Sequence, residues 1–294
     1  MMNNHLQVGQ TPLIPIDMDG IRIWGKAEFM NPSGSVKDRP IKNILTRAIE
    51  NNLLTTGGTV IEATSGNAGI SFAMYCAEMN FKCVIVMPSN MSEERKKMLR
   101  LYGAELIEVG AGDFDGAIKL RNELAEKNGW FNGNQFASEW NIEAHREGTG
   151  VELLHQTRHN NFKPSAFVSG TGTGGTLMGA GKTLKNYCHS MEIVAVEPSE
   201  SPVMSGGEPG LHGIQGIGDG SKFMVDLEFV DHIITVSTEE ARQMSVRLSK
   251  EKGIFVGISA GANVLASLKY GKKFDKTNIL TILCDRGDRY LSLL

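Results

Sequence analysis

The sequence predicts an α/β protein of two units, each with a central, mostly parallel sheet flanked by helices. Three observations carry this. Glycine is frequent, at 34 residues in 294, and clusters at the ends of short apolar runs, where strand-to-helix turns are tight. Strand-like and helix-like patterns alternate from about residue 58 to 135. The alternation resumes near Ala166 and runs to Cys284.

The first unit reads in order as follows. Gly58–Ala63 is a strand, Thr64-Ser65-Gly66-Asn67 a turn, and Ala68–Asn80 a helix. Lys82–Met87 is a short buried strand closed by Pro88. Ser92 caps the next helix, with Glu93 and Glu94 in its first turn, where acids suit the dipole. Glu105–Val109 is a strand and Phe114–Asn128 a helix. In the second unit the strand Ala166–Ser169 enters a Gly-rich turn at 170–175, followed by a helix to about 188 and the strand Glu192–Val196. Then come the strand Ile233–Val236, a helix over Thr238–Lys252, a strand or turn at 254–258, a helix from Ala260 and the strand Ile279–Cys284. Glu197–Gly220 is Gly/Pro-rich and has little periodicity; an irregular stretch of that length is more often functional than idle.

Apolar residues make up 41% and charged residues 21% of the chain, the balance of a globular enzyme with a full core. A net charge of −3 offers no basic field for nucleic acid and no polybasic patch for anionic lipid. Cys76, Cys83, Cys188 and Cys284 are scattered without a Cys-x-x-Cys pair, which argues against disulfides and a zinc site and for a reducing compartment. The seven histidines show no metal-ligand spacing and read as surface or packing residues. Met1–Gln10 has neither an apolar run nor a cationic leader, so no signal peptide or membrane span is expected, and the expected location is the cytoplasm.

Three glycine-flanked segments carry chemistry. Lys37 follows the turn Asn31-Pro32-Ser33-Gly34-Ser35-Val36 and precedes a helix, so the backbone holds it and its amine can meet a bound carbonyl. The turn Thr64-Ser65-Gly66-Asn67-Ala68-Gly69 opens a helix, where free N–H groups and the dipole can hold a carboxylate. Gly170-Thr171-Gly172-Thr173-Gly174-Gly175-Thr176 lies between a strand and a helix, and its backbone and hydroxyls can wrap a phosphate. No Gly-Lys-Ser/Thr follows, so this is not the lysine-bearing phosphate loop of nucleotide hydrolases. Alone, each has an ordinary reading: a solvated lysine, a capping turn, a Gly-rich turn. Together they fit pyridoxal 5'-phosphate, with a Schiff base to lysine, a phosphate cup and an amino-acid carboxylate site.

The chain resembles the cysteine synthases (O-acetylserine sulfhydrylases) among fold type II pyridoxal phosphate enzymes. The resemblance runs through Gly9-Gln10-Thr11-Pro12-Leu13, the Lys37 segment continued by Asp38-Arg39, Glu62–Asn67, Gly172–Thr176, Glu197-Pro198 with Ser201-Pro202, His212–Gly218, Gly257-Ile258-Ser259-Ala260-Gly261 and Asp288–Ser292. It implies a tryptophan synthase β-subunit-like fold, with a smaller mobile substrate-loop domain at 39–142 and a larger cofactor-phosphate-binding domain from 1–38 and 143–294. It implies that Lys37 forms the internal aldimine and later removes the substrate Cα proton. Asn67 would bond the ring oxygen, Gly172, Thr173, Gly174, Gly175 and Thr176 would hold the phosphate, and Ser259 would face the pyridine nitrogen. A hydroxyl there leaves the ring a weaker electron sink than a carboxylate would, which favours β-elimination and replacement over transamination. Thr64, Ser65, Gly66, Ala68 and Gln135 would grip the substrate α-carboxylate.

The implied reaction makes L-cysteine from O-acetyl-L-serine and sulfide through an α-aminoacrylate. Ala68 stands where many relatives have threonine, and Trp140 interrupts a segment usually rich in Asn and Pro; it either packs or reshapes the pocket wall. Segment 197–218 resembles isozyme A, whereas Cys284–Ser292 resembles isozyme B, which also accepts thiosulfate. Cys284 and Arg286 could therefore face a larger or anionic sulfur donor, and Cys284 could equally be a small buried residue. Other β-replacements stay open: O-phosphoserine as substrate, homocysteine (cystathionine β-synthase) or an amine as nucleophile. A different class is a non-catalytic partner of serine acetyltransferase. A homodimer and an enzyme without a metal are expected.

Overall fold

The computed structural model describes residues 6–64 and 66–293. In chain order the elements are β1 (Leu13–Met18), β2 (Ile21–Lys26), α1 (Asp38–Glu50), β3 (Thr59–Ala63), α2 (Asn67–Glu78), β4 (Lys82–Pro88), α3 (Glu93–Leu101), β5 (Glu105–Val109), α4 (Phe114–Asn128), β6 (Phe131–Asn132) and α5 (Glu139–Ala144). A π-helical turn over His145–Thr149 leads into α6 (Gly150–His159). Then follow β7 (Ala166–Gly170), α7 (Gly175–Tyr187), β8 (Glu192–Pro198), β9 (His232–Val236), α8 (Thr238–Lys252), α9 (Ile258–Phe274) and β10 (Ile279–Ile282).

The chain packs as two units. The first contains Lys37–Asn141 and the segment ending at Val8; the second contains Gly9–Val36 and the chain from Ile142. The sequence reading placed the divisions at 38/39 and 142/143 and kept the whole N-terminal stretch with the larger unit.

The first unit is built on a parallel sheet in the order β5-β4-β3-β6. One face packs Val60, Cys83, Ile85 and Met87 under α1, α2 and α3, and the other sets Ile61, Ala63, Val84 and Val86 against α4. β4 is buried on both faces, which is why it reads as an unbroken apolar run. Trp140 packs into the first of these clusters, as an ordinary core-edge side chain. Ser92 occupies the cap position of α3, but its side chain makes no capping hydrogen bond.

The second unit carries a sheet in the order β1-β2-β10-β7-β8-β9. Every pairing is parallel except β1 with β2, which form a hairpin at the edge. α9 is buried along most of its length beside the sheet. Both sheets end their strands, at their C-terminal edges, in the glycine-flanked segments: β3 in Thr64–Gly66 and β7 in Thr171–Gly174. In open parallel sheets ligands bind outside these ends. Among the described residues no helix is long and apolar enough to cross a membrane.

Candidate active site

In the first unit Lys37 is the N-cap of α1, half-buried, and its carbonyl accepts from Ile41 N at 3.1 Å. Asp38, fully buried, accepts a 2.6 Å hydrogen bond from Ser71 Oγ. Ser71 lies one turn beyond Asn67, so this bond joins the starts of α1 and α2, the helices that open at Lys37 and at Gly66-Asn67. Asn67 is the first residue of α2 and not part of the preceding turn, because Gly66 caps the helix in an extended conformation. Thr64 is buried; its N–H donates to Val86 O at 3.1 Å and its Oγ1 accepts from Gly66 N at 3.3 Å. Ala68 is buried in the apolar cluster behind the loop. Ser65 lies outside the described residues.

Gln135 is also buried, and its backbone is held at both ends. Its N–H donates to Glu62 Oε2 at 3.1 Å, and its carbonyl accepts from Asn141 Nδ2 at 2.9 Å. Glu62 forms a 2.7 Å ion pair with Arg121, both sealed from solvent. Burial pushes the Glu62 carboxyl upward, and Arg121 and the backbone N–H donors oppose that.

In the second unit the loop after β7 ends at Gly174, the N-cap of α7, with φ 87°. That left-handed conformation suits glycine, and a Cβ there would lie 2.8 Å from Val225 Cγ2. The loop is woven into the irregular chain that follows β8. Thr171 O accepts from Gly218 N at 2.9 Å, and Thr173 O from Met224 N at 3.2 Å. That irregular stretch is itself pinned: Glu197 accepts from Met204 N and from Ser205 N and Oγ, and His212 Nε2 meets Gly218 O at 2.9 Å. Thr176 Oγ1 meets His145 Nε2 at 3.2 Å, and His145 Nδ1 meets Thr149 Oγ1 at 2.9 Å. The N-terminus of α7, with its aligned dipole and loop N–H groups, is a ready anion site.

Ser259 lies in the first turn of α9, earlier than the expected start at Ala260, because Gly257 serves as the N-cap. It is buried, and its hydroxyl has no protein partner among the described residues. The turn is fixed by Gly257 N donating to Asp285 O at 3.1 Å and by Ser245 Oγ donating to Gly257 O at 2.9 Å. Tyr290 Oη bonds Asp285 Oδ2, so the C-terminal motif braces the same turn. The chain leading to Lys37 rests on that motif too. Val36 N donates to Cys284 O at 2.8 Å, Ser35 bridges Asp285, and Arg289 donates to Ser33 O.

A family model described as pyridoxal-phosphate dependent enzyme matches residues 5–285. The chain belongs to the pyridoxal-phosphate dependent enzyme family. Within it, the chain is 42% identical over 292 residues to a cysteine synthase of Staphylococcus aureus, covering 97% of this chain and 94% of that one. It is 43% identical over 291 residues to cysteine synthase B of Campylobacter jejuni, covering 97% and 95%. The crystal structure of a cysteine synthase from Entamoeba histolytica superposes with a TM-score of 0.90 at 37% identity, covering 97% of this chain and 88% of that one. The protein is thus a fold type II enzyme that depends on pyridoxal phosphate.

The residues present fit the family's cofactor. The start of α7 offers N–H donors to a phosphate, and the Ser259 hydroxyl is buried but uncommitted. Arg286 is exposed and pairs with Asp288 at 3.4 Å, and Cys284 is half-buried beyond the end of β10, where its Sγ meets Asn263 Nδ2 at 3.4 Å. Sequence reasoning gave no role to Glu62, Arg121 or Asn263, and read His145 only as a surface or packing residue. Glu62 had a signal, a lone charge in the apolar run Val60–Ala63; the other three had none.

Proposed function

We propose that this enzyme makes L-cysteine by β-replacement, exchanging the acetate of O-acetyl-L-serine for sulfide. The end-to-end similarity to cysteine synthases is the observation that carries the reading. Bound pyridoxal phosphate supplies the electron sink for charge that develops at the substrate Cα. Gly172, Thr173, Gly174, Gly175 and Thr176 hold its phosphate, Asn67 bonds its ring oxygen, and Ser259 faces its pyridine nitrogen. Thr64, Ser65, Gly66, Ala68 and Gln135 hold the α-carboxylate of the substrate.

Lys37 anchors the cofactor and, once released, moves the proton at Cα. It does so as the neutral amine, the form that can take a proton. The smaller domain at 39–142 is mobile and closes on the bound carboxylate, excluding water. Thiosulfate is the second candidate sulfur donor. The protein works in the cytoplasm as a homodimer and is a candidate to bind serine acetyltransferase.

The visible spectrum tests this. The purified protein should be yellow, O-acetyl-L-serine should shift its band, and sulfide should restore it. A protein that stays colourless with added pyridoxal phosphate, or a band that does not move, overturns the reading. Lys37→Ala should bind the cofactor without turning over.

A further inference from the structure

The buried pair Glu62–Arg121 is built around the backbone of Gln135. Glu62 is the fourth residue of β3, two positions before Thr64. Its Oε1 accepts from Arg121 Nη1 at 2.7 Å and from Ala63 N at 2.8 Å, and its Oε2 accepts from Gln135 N at 3.1 Å. One carboxylate thus holds the end of β3 and the start of the Gln135 segment together. Arg121 is aimed in turn by Asn122, whose Oδ1 accepts from Arg121 Nε and Nη2 at 3.1 and 2.9 Å and from Asn132 Nδ2 at 3.0 Å. Asn132 Oδ1 accepts from Asn134 N at 3.1 Å. β6 pairs with β3 only as far as Ile61 with Asn132, and the next residue, Gly133, makes room for the carboxylate. A Cβ at Gly133 would lie 2.9 Å from Glu62 Oε2 and 2.5 Å from Phe72 Cζ.

The cost of this arrangement points to a role. A fully buried carboxylate is expensive unless it is paired and hydrogen-bonded, and an apolar pair of the same volume would serve stability as well. What an apolar pair could not do is hold a backbone N–H at a fixed place beside the Thr64 loop.

We propose that Glu62 and Arg121 are positioning residues for the substrate α-carboxylate. They lock the Gln135 segment in register with the Thr64–Ala68 loop, so that both halves of the grip face one ligand. This rests on the proposed role of Thr64–Ala68 and Gln135.

The test titrates holoenzyme with O-acetyl-L-serine, following the visible band and steady-state rates. Glu62→Gln, and the neutral double variant Glu62→Gln/Arg121→Met, should raise the half-saturating O-acetyl-L-serine concentration by about tenfold. The resting visible spectrum and the cofactor affinity should stay unchanged. The double variant leaves no buried unpaired charge, so it should keep its melting temperature near that of the parent while still binding substrate weakly. In a Gln135→Ala background, Glu62→Gln should have no further effect on half-saturation. Where the buried variants do not fold, Asn122→Ala, at an exposed position, should produce a smaller rise of about threefold.

A double variant that binds O-acetyl-L-serine like the parent, or effects of Glu62→Gln and Gln135→Ala that multiply independently, would overturn the proposal. Failure of the underlying reading looks different: Gln135→Ala and Thr64→Ala would then each leave substrate binding untouched.

Discussion

Asn263 Oδ1 accepts a 2.7 Å hydrogen bond from Gly170 N, at the point where β7 ends and the glycine-threonine loop begins. Asn263 lies one turn beyond Ser259 on α9, and its Nδ2 donates to Ile282 O at 2.8 Å, at the end of β10. A single buried amide therefore ties the helix that carries Ser259 to two strand ends and to the start of the glycine-threonine loop. Asn263→Ala strips these partners without a replacement and should cost about 2–3 kcal/mol in urea unfolding. Because the loop start would lose its anchor, pyridoxal phosphate affinity should fall by about tenfold, or about 1.4 kcal/mol. A variant that unfolds earlier yet binds the cofactor as the parent does would show that the bond stabilises the fold without shaping the loop.

Gly174→Ala separates conformation from chemistry at the same loop. The native φ of 87° and the 2.8 Å approach to Val225 Cγ2 both oppose a methyl group. The cost should reach about 2 kcal/mol, from left-handed backbone strain of about 1–2 kcal/mol and local overpacking. No polar group is removed, so any loss of phosphate affinity reports the displaced backbone. Isothermal titration of the apo variant with pyridoxal phosphate and with inorganic phosphate measures it.

Much of the strand-helix order was legible because buried parallel strands read as short apolar runs closed by glycine. Phe114–Asn128 and Thr238–Lys252 match the observed helices to the residue, each with an αL glycine just beyond. The β1–β2 hairpin went unread although it held a signal, Asp19-Gly20 between two alternating runs. Pro15 within β1 obscured it, and an edge strand tolerates that proline. The helical stretch from Glu139 to His159 was not legible. Its glycines and polar residues argue against a helix, and packing overrides them: Gly150 lies so close to α7 that a Cβ would sit 2.7 Å from Thr183 Cβ. The glycine-flanked turns could be read because their residues are contiguous in the chain. Glu62–Arg121 spans 59 residues and Asn263–Gly170 spans 93, so neither pairing follows from spacing.

Ser237 and Glu240 form a reciprocal cap at the start of α8, each side chain accepting from the other residue's backbone N–H. Ser237→Ala should destabilise the protein by about 1 kcal/mol and leave catalysis unchanged. Thermal unfolding beside a steady-state assay distinguishes this from the site variants, which move both readouts.

Asp19 offers a charge-only test in the hairpin turn. Its carboxylate receives Arg247 from α8 at 2.8 Å and Lys272 from α9 at 2.9 Å, and these two bonds hold its carboxyl well below the usual carboxylate range. The folded-state value is depressed, so the stabilisation is complete above the unfolded value of about 3.9 and is lost as pH falls through the folded one. Asp19 is solvent-exposed, which limits the effect of the paired charges to about 0.5–1 kcal/mol. Asp19→Asn removes the charge and keeps a residue that tolerates the native φ of 51°. The variant should therefore be less stable than the parent at pH 7 by that amount. The difference should shrink steadily as pH falls below about 4 and should also shrink in 1 M salt, where surface charges are screened. Urea unfolding midpoints across pH 2.5–7 measure it, and a gap that stays constant over that range would show that the turn geometry, and not the carboxylate charge, supplies the stability.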